Sequence, residues 1–216
     1  MTGNPATCTI IIFARAPVAG ECKTRLIPVL GAEGAAQLQK AMTRHAVEVA
    51  MAAATGPVIL CVTPDTTHPD LQSMAQNSGA QLHTQGEGDL GARMQAAFEM
   101  HGYPALLMGS DIPFITAQDL RTCALALTEG TDAVFLPAED GGYGLVGLSR
   151  LAPHLFSDMV WSTSSVMDET RARLRAASMR WREIAVVRDV DQPDDLMRLA
   201  ASDYRFLLPP GELPQA

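Results

Sequence analysis

Short apolar runs recur along the chain between turn-forming residues, at Thr9 to Ala14, Pro57 to Val62, Ala80 to Thr84, Pro104 to Met108, Asp132 to Leu136, Gly144 to Leu148 and Glu183 to Arg188. Runs this short, bounded by Gly, Pro and Asp, read as strands. Between most of them the apolar residues return at i, i+3 and i+4, the period of a helix. EGAAQLQKAMTRHAVEVAMAAA (Glu33 to Ala54) shows this best, and Asp89 to Met100, Thr116 to Thr128, Ser165 to Ser178 and Pro193 to Ala201 follow the same rule. Ser165 with Asp168 and Thr116 with Asp119 supply helix-start signals. Alternation of this kind predicts one α/β domain, with a mostly parallel sheet and helices on both faces. That domain is expected over residues 1–204. The Pro-rich end, LLPPGELPQA, predicts a loose tail over 205–216.

Ligands of such sheets bind beyond the carboxyl ends of the strands. Four polar clusters fall there: Arg15 to Arg25, GDLGARM (Gly88 to Met94), GSDIP (Gly109 to Pro113) and DVDQPDDL (Asp189 to Leu196). A fifth, PAEDGGYG, separates two strands. The first loop, FARAPVAGECKTRL, looks at first like a phosphate cradle. It is no P-loop, because Glu21 and Cys22 stand between Gly20 and Lys23 where G-x-x-x-x-G-K-[ST] needs the glycine next to the lysine. A dinucleotide fingerprint fails too, for want of glycines.

GSDIP follows ALLM, so Asp111 emerges at a strand tip. Either it serves a ligand or it caps the turn that Pro113 begins. Asp191 is equally placed to cap a helix with Pro193 in its first turn. Brought together opposite Lys23 and Arg25, the two aspartates would instead form a hard oxygen site for Mg2+, or Mn2+, beside a cationic wall. DGGY is either a hairpin turn or a turn that presents Asp140 and Tyr143 to an acceptor, with Glu139 as a further acid.

Composition narrows the chemistry. A formal net charge of -8 over 216 residues argues against a general nucleic-acid binder. MTGNPATC has no basic leader ahead of the apolar run, and no apolar stretch is long enough to span a bilayer, so a soluble, cytoplasmic protein without membrane partners is expected. The four cysteines are scattered and no H-E-x-x-H occurs, which removes the usual zinc and redox motifs. Lys23 is one of only two lysines.

The ordered motifs FARAPVAGECKTRL, GDLGARM, GSDIP, PAEDGGYGLVGL, WSTSSV and DVDQPDDL resemble the DUF2064 proteins, also called radical-SAM/selenodomain-associated transferase 1. These lie in the nucleotide-diphospho-sugar transferase (GT-A) superfamily. The resemblance runs from about Ile10 to Leu196. It departs mildly at Arg15, where lysine is commoner, at Gly144, where a second aromatic often stands, and at Gln192, where Thr is usual. It implies a GT-A fold and a nucleotide or nucleotide-sugar with a small-molecule acceptor as partners. It also implies a phosphate-binding first loop, with Lys23 and Arg25 on the phosphates and Arg15, Gly20, Asp89 and Arg93 beside them. Asp111 and Asp191 would hold the metal. Asp140 would act on the acceptor, and Gly141, Gly142, Tyr143 and Trp161 would bind it.

Two activities follow. Nucleotidyl transfer from a nucleoside triphosphate to a phosphorylated acceptor fits the basic loop and the single acid of GSDIP. Glycosyl transfer fits the label family members carry, with an arsenosugar role proposed for them. A non-catalytic nucleotide-binding regulator is the third class, disfavoured because both acids and the cationic loop are retained.

Overall fold

The computed structural model describes residues 7–210. Seven strands form one sheet: β1 (Thr9–Arg15), β2 (Val58–Thr63), β3 (Gln81–Thr84), β4 (Ala105–Gly109), β5 (Ala133–Pro137), β6 (Tyr143–Leu148) and β7 (Trp181–Glu183). Their order is β3-β2-β1-β4-β6-β5-β7. All pairings are parallel except those of β6, which runs antiparallel to both β4 and β5. The expected mixed α/β fold with a mostly parallel sheet is therefore present.

Six helices cover the sheet: α1 (Ile27–Ala53), α2 (Pro69–Ser78), α3 (Leu90–His101), α4 (Ala117–Thr128), α5 (Val166–Ala176) and α6 (Pro193–Ala200). Alternate residues of the central strands feed two separate cores. Ile10, Ile12, Leu60 and Met108 face one way with α1 and α4 residues, whereas Ile11, Ile59, Leu107 and Val146 face the other with Phe98 of α3 and Met167 of α5. A third cluster, around Leu26, Leu38, Met42, Val190 and Leu196, ties the first loop to the last helix.

Two sequence expectations need correction, and one helix lies outside them. Helix α2 was not legible, because PDLQSMAQNS buries only Leu71 and Ala75. Its ends are set locally, by the His68 ring accepting the Asp70 N–H and by Gly79 at φ 81°. The last strand lies at Trp181–Glu183 rather than 183–188; Asp132 fixes its start by accepting the Arg180 N–H at 2.8 Å, and beyond it only Val187 bridges to Ala138. The tail does not begin at 205. Arg205–Leu207 form a 3-10 turn that buries Leu207 in the third cluster, with Leu208 packed beside it; residues 211–216 lie outside the described segment.

The chain leaves β1 for β2 and β3 on one side and returns to β4 on the other. The loops after β1 and β4 therefore diverge, opening a crevice at the carboxyl edge where such folds bind ligands.

Candidate active site

The loop after β1 is shaped by its backbone. Gly20 takes φ 85°, which costs a glycine little, and Lys23 takes φ 45° at the head of a 3-10 turn, Thr24–Leu26. Leu26 anchors that turn in the third core. The consequence is a split between neighbouring cations: the Lys23 side chain turns inward and is 6% exposed, whereas Arg25 stays outside at 65%. A freely solvated Lys23 is thereby ruled out.

Lys23 Nζ donates to Asp111 Oδ2 at 2.9 Å and to Asp191 Oδ1 at 3.4 Å. The Arg25 guanidinium donates to the other oxygen of Asp191. Burial alone would lower the Lys23 pKa, but the carboxylates of Asp111, then Asp191 and Asp189, more than offset it and hold the ammonium above its ordinary value.

Neither aspartate is spent on capping. Thr116 and Asp119 close a reciprocal capping box on α4, and at the start of α6 the Asp195 carboxylate accepts the N–H groups of Asp191 and Gln192, so Asp111 and Asp191 point elsewhere. Ser165, by contrast, heads α5 without a side-chain cap bond. Gly109 leaves room for the acid beyond it, since a Cβ there would sit 2.7 Å from Asp111 Oδ1. Val190 N–H donates to the Asp111 carbonyl, placing Asp189 and Asp191 on either side of that bond. Sequence reading missed Asp189 as a site residue. Its carboxyl is pushed up to about 6, first by burial and then by the charge of Asp111. The D-x-D that opens DVDQPDDL was the available signal, because residues i and i+2 of an extended segment share a face.

A cleft of about 490 Å3 opens over these groups, within the range of small-molecule sites. Of the residues singled out from sequence, Arg15, Lys23, Arg93, Asp111, Asp140, Gly142, Tyr143, Trp161 and Asp191 line it. Arg93 donates to the Gln85 amide, which is itself fixed by donating to the Ala14 and Cys61 carbonyls. Asp89 is elsewhere: it caps α3 by accepting the Ala92 N–H at 2.8 Å. Gly20 and Gly141 act through the backbone. Gly141 takes φ 92°, with the Ser164 carbonyl where a Cβ would be. The DGGY segment proves to be both a hairpin turn, joining β5 to β6, and a cleft wall, with Asp140 accepting the Gly142 N–H at 2.9 Å. Glu139 is paired with Arg188 instead. Gly144 is packed against Ile112 and Val187, so any side chain there would require both to shift.

Could this arrangement hold a divalent cation? Among the described residues no three His, Cys, Asp or Glu side chains converge as a ready centre. The donor chemistry nevertheless fits. Mg2+ takes one or two carboxylates, keeps several waters and completes its shell with substrate phosphates. Asp111 and Asp191 each turn an oxygen to within 3.4 Å of one point, now held by the Lys23 ammonium.

The sequence profile described as an uncharacterized protein conserved in bacteria (DUF2064) matches residues 46–163, more than half of the chain. The chain belongs to DUF2064. No curated protein matches it. Among solved structures this DUF2064 chain resembles a candidate nucleotide-diphospho-sugar transferase from Desulfovibrio desulfuricans G20, with 27% identity, TM-score 0.80 and 93% of each chain covered. CMP:2-keto-3-deoxy-manno-octonic acid synthetase, solved with CTP, is 16% identical with TM-score 0.60, over 91% of this chain and 98% of that one. Glucosyl-3-phosphoglycerate synthase from Mycobacterium tuberculosis, solved with Mn2+ and UDP, is 11% identical with TM-score 0.54, over 93% and 78%. The last two likenesses concern the fold alone. Together the comparisons place the DUF2064 chain among transferases of GT-A fold.

Proposed function

We propose that this protein transfers a nucleotidyl group from a nucleoside triphosphate to a small acceptor, with Mg2+ or Mn2+ as cofactor. The reading rests on one observation: Lys23, Asp111 and Asp191, far apart in sequence, meet at the crevice between β1 and β4. A cation-bearing loop facing a carboxylate pair is what polyphosphate chemistry needs.

In the reaction an acceptor oxygen attacks the α-phosphorus, a new P–O bond forms, the bond to the β-phosphate oxygen breaks and pyrophosphate departs. Lys23 and Arg25 face the growing charge of the leaving group, and Arg15 and Arg93 extend the same wall. Asp111 and Asp191 would hold the divalent cation, which would supply charge neutralisation to the substrate phosphates. Tyr143 and Trp161 also line the cleft and would place the acceptor.

Glycosyl transfer from a nucleotide-sugar is the second reading, supported by the likeness to the Desulfovibrio protein and by Asp140 on the cleft wall, where it would take the proton of an acceptor hydroxyl. A non-catalytic nucleotide-binding regulator is the remote third. Purified protein screened with Mg2+ against nucleoside triphosphates and nucleotide-sugars by thermal shift identifies the donor; a ligand at a hundred times its Kd adds about 2.7 kcal/mol of stability. Turnover that releases pyrophosphate supports nucleotidyl transfer, and release of nucleoside diphosphate supports the alternative. Binding with no magnesium-dependent turnover of any donor leaves only the regulator.

A further inference from the structure

The position between Asp111 and Asp191 is filled by a cation of the protein's own. The ammonium of Lys23 bonds both carboxylates, lies almost wholly out of solvent, and is aimed there by a left-handed backbone that non-glycine residues seldom adopt. A divalent ion drawn to the same two oxygens would meet that charge head on, and inside a partly buried site like-charge repulsion is weakly screened. One cation must leave for the other to enter. Lysine is suited to leaving, because its charge rides on a flexible four-carbon stem and can swing while the backbone holds.

We infer that Lys23 bars the divalent-cation position in the nucleotide-free protein, and that the phosphates of an incoming nucleotide open it by drawing the ammonium away. The metal therefore enters with the nucleotide, not ahead of it. This rests on the metal-dependent transferase reading but makes a separate claim, that the free protein has no competent divalent site until Lys23 moves. Arg25 does not share the role: it lies outside and bonds the far oxygen of Asp191, an arrangement compatible with that carboxylate still turning its inner oxygen to a metal.

The test is a titration of nucleotide-free protein with Mn2+ alone, read from the loss of the free-ion EPR signal. Wild type is expected to show no saturable site at sub-millimolar Mn2+. Lys23→Met, which keeps the length of the stem and removes the charge, is expected to gain one site per chain, at least tenfold tighter, and Asp111→Asn on top of it should abolish that gain. Lys23→Gln serves as a second uncharged variant should the first fail to fold, and circular dichroism checks both. A wild-type site as tight as that of the variant overturns the inference, as does a folded variant with no site. Either result leaves the transferase reading standing, because that reading fails only if no donor is turned over.

Discussion

The indole of Trp161 is seated on the α carbon of Gly91. A Cβ at Gly91 would fall 2.8 Å from Trp161 Cζ2 and 2.6 Å from the Phe156 carbonyl oxygen, closer than real contacts allow. The second glycine of GDLGARM is thus the seat of the tryptophan of WSTSSV, and it brings α3 against the loop that walls the cleft. In an exposed helix Gly→Ala adds about 1 kcal/mol of stability. Here Gly91→Ala should destabilise by roughly 1 to 3 kcal/mol, since backbone as well as ring must shift. It should also alter tryptophan emission. Urea unfolding followed by fluorescence checks both; a variant more stable than wild type would show that the contact yields without cost.

Loss of Lys23 should damage both catalysis and folding. With the best substrate of the donor screen, Lys23→Ala and Arg25→Ala should each lower kcat and kcat/KM by about 2 to 4 kcal/mol of transition-state stabilisation. Stability separates them. Arg25 sits in an outward pair whose loss costs about 0 to 1 kcal/mol, whereas Lys23→Ala strips two partly buried carboxylates of their shared cation and should cost roughly 1 to 3 kcal/mol. Arg25→Lys should recover little activity if two-pronged phosphate contact matters. Wild-type turnover in Lys23→Ala would remove this loop from the mechanism.

Asp132 gives the fold a share of its acid sensitivity. It accepts the Arg180 N–H at 2.8 Å and the Arg150 side chain at 3.0 Å, and these bonds, the backbone one first, hold its carboxyl below the ordinary value of 3.8. A depressed carboxylate pKa stabilises the folded state above 3.8 and loses that effect as pH falls through the folded value. Asp132→Asn should therefore lower the melting temperature at pH 7 by a few degrees, about 1 kcal/mol, with the gap to wild type narrowing as the pH falls below 3.8. A constant gap across that range would assign the loss to packing.

The thiols should be inert in the native protein. Burial pushes Cys8, Cys61 and Cys123 up to about 12, leaving about one thiolate in 10^4 at pH 8. Cys22, in the first loop, is raised as well, chiefly by burial. A thiol reagent such as DTNB at pH 8 should titrate none of the four promptly in native protein and all four in urea. Fast reaction of one thiol, abolished by Cys22→Ser, would show that this residue is reactive in the folded protein.

Much of this protein was written locally. Strands β1, β2, β4, β5 and β6 and helices α3, α4, α5 and α6 announce themselves because apolar period and capping residues act within a few positions. The strand-tip position of Asp111 follows from ALLM and the glycine after it, and six ordered motifs are enough to give the family. What the sequence left open was the choice between two uses of one residue. Asp111 reads equally well as a cap or as a site acid, Asp191 taken alone reads rather as a cap, and DGGY reads as turn or wall, since the local chemistry of both uses is the same. Tertiary structure decided these. Thr116 and Asp195 took the capping work, which released the aspartates, and a left-handed Lys23 turned its ammonium to a carboxylate 88 and another 168 residues away. Asp189, the seat of Trp161 on Gly91 and the packed end at Leu207 escaped notice for the same reason. Each depends on which distant segments the folded sheet brings side by side, and no local period or motif encodes that distance.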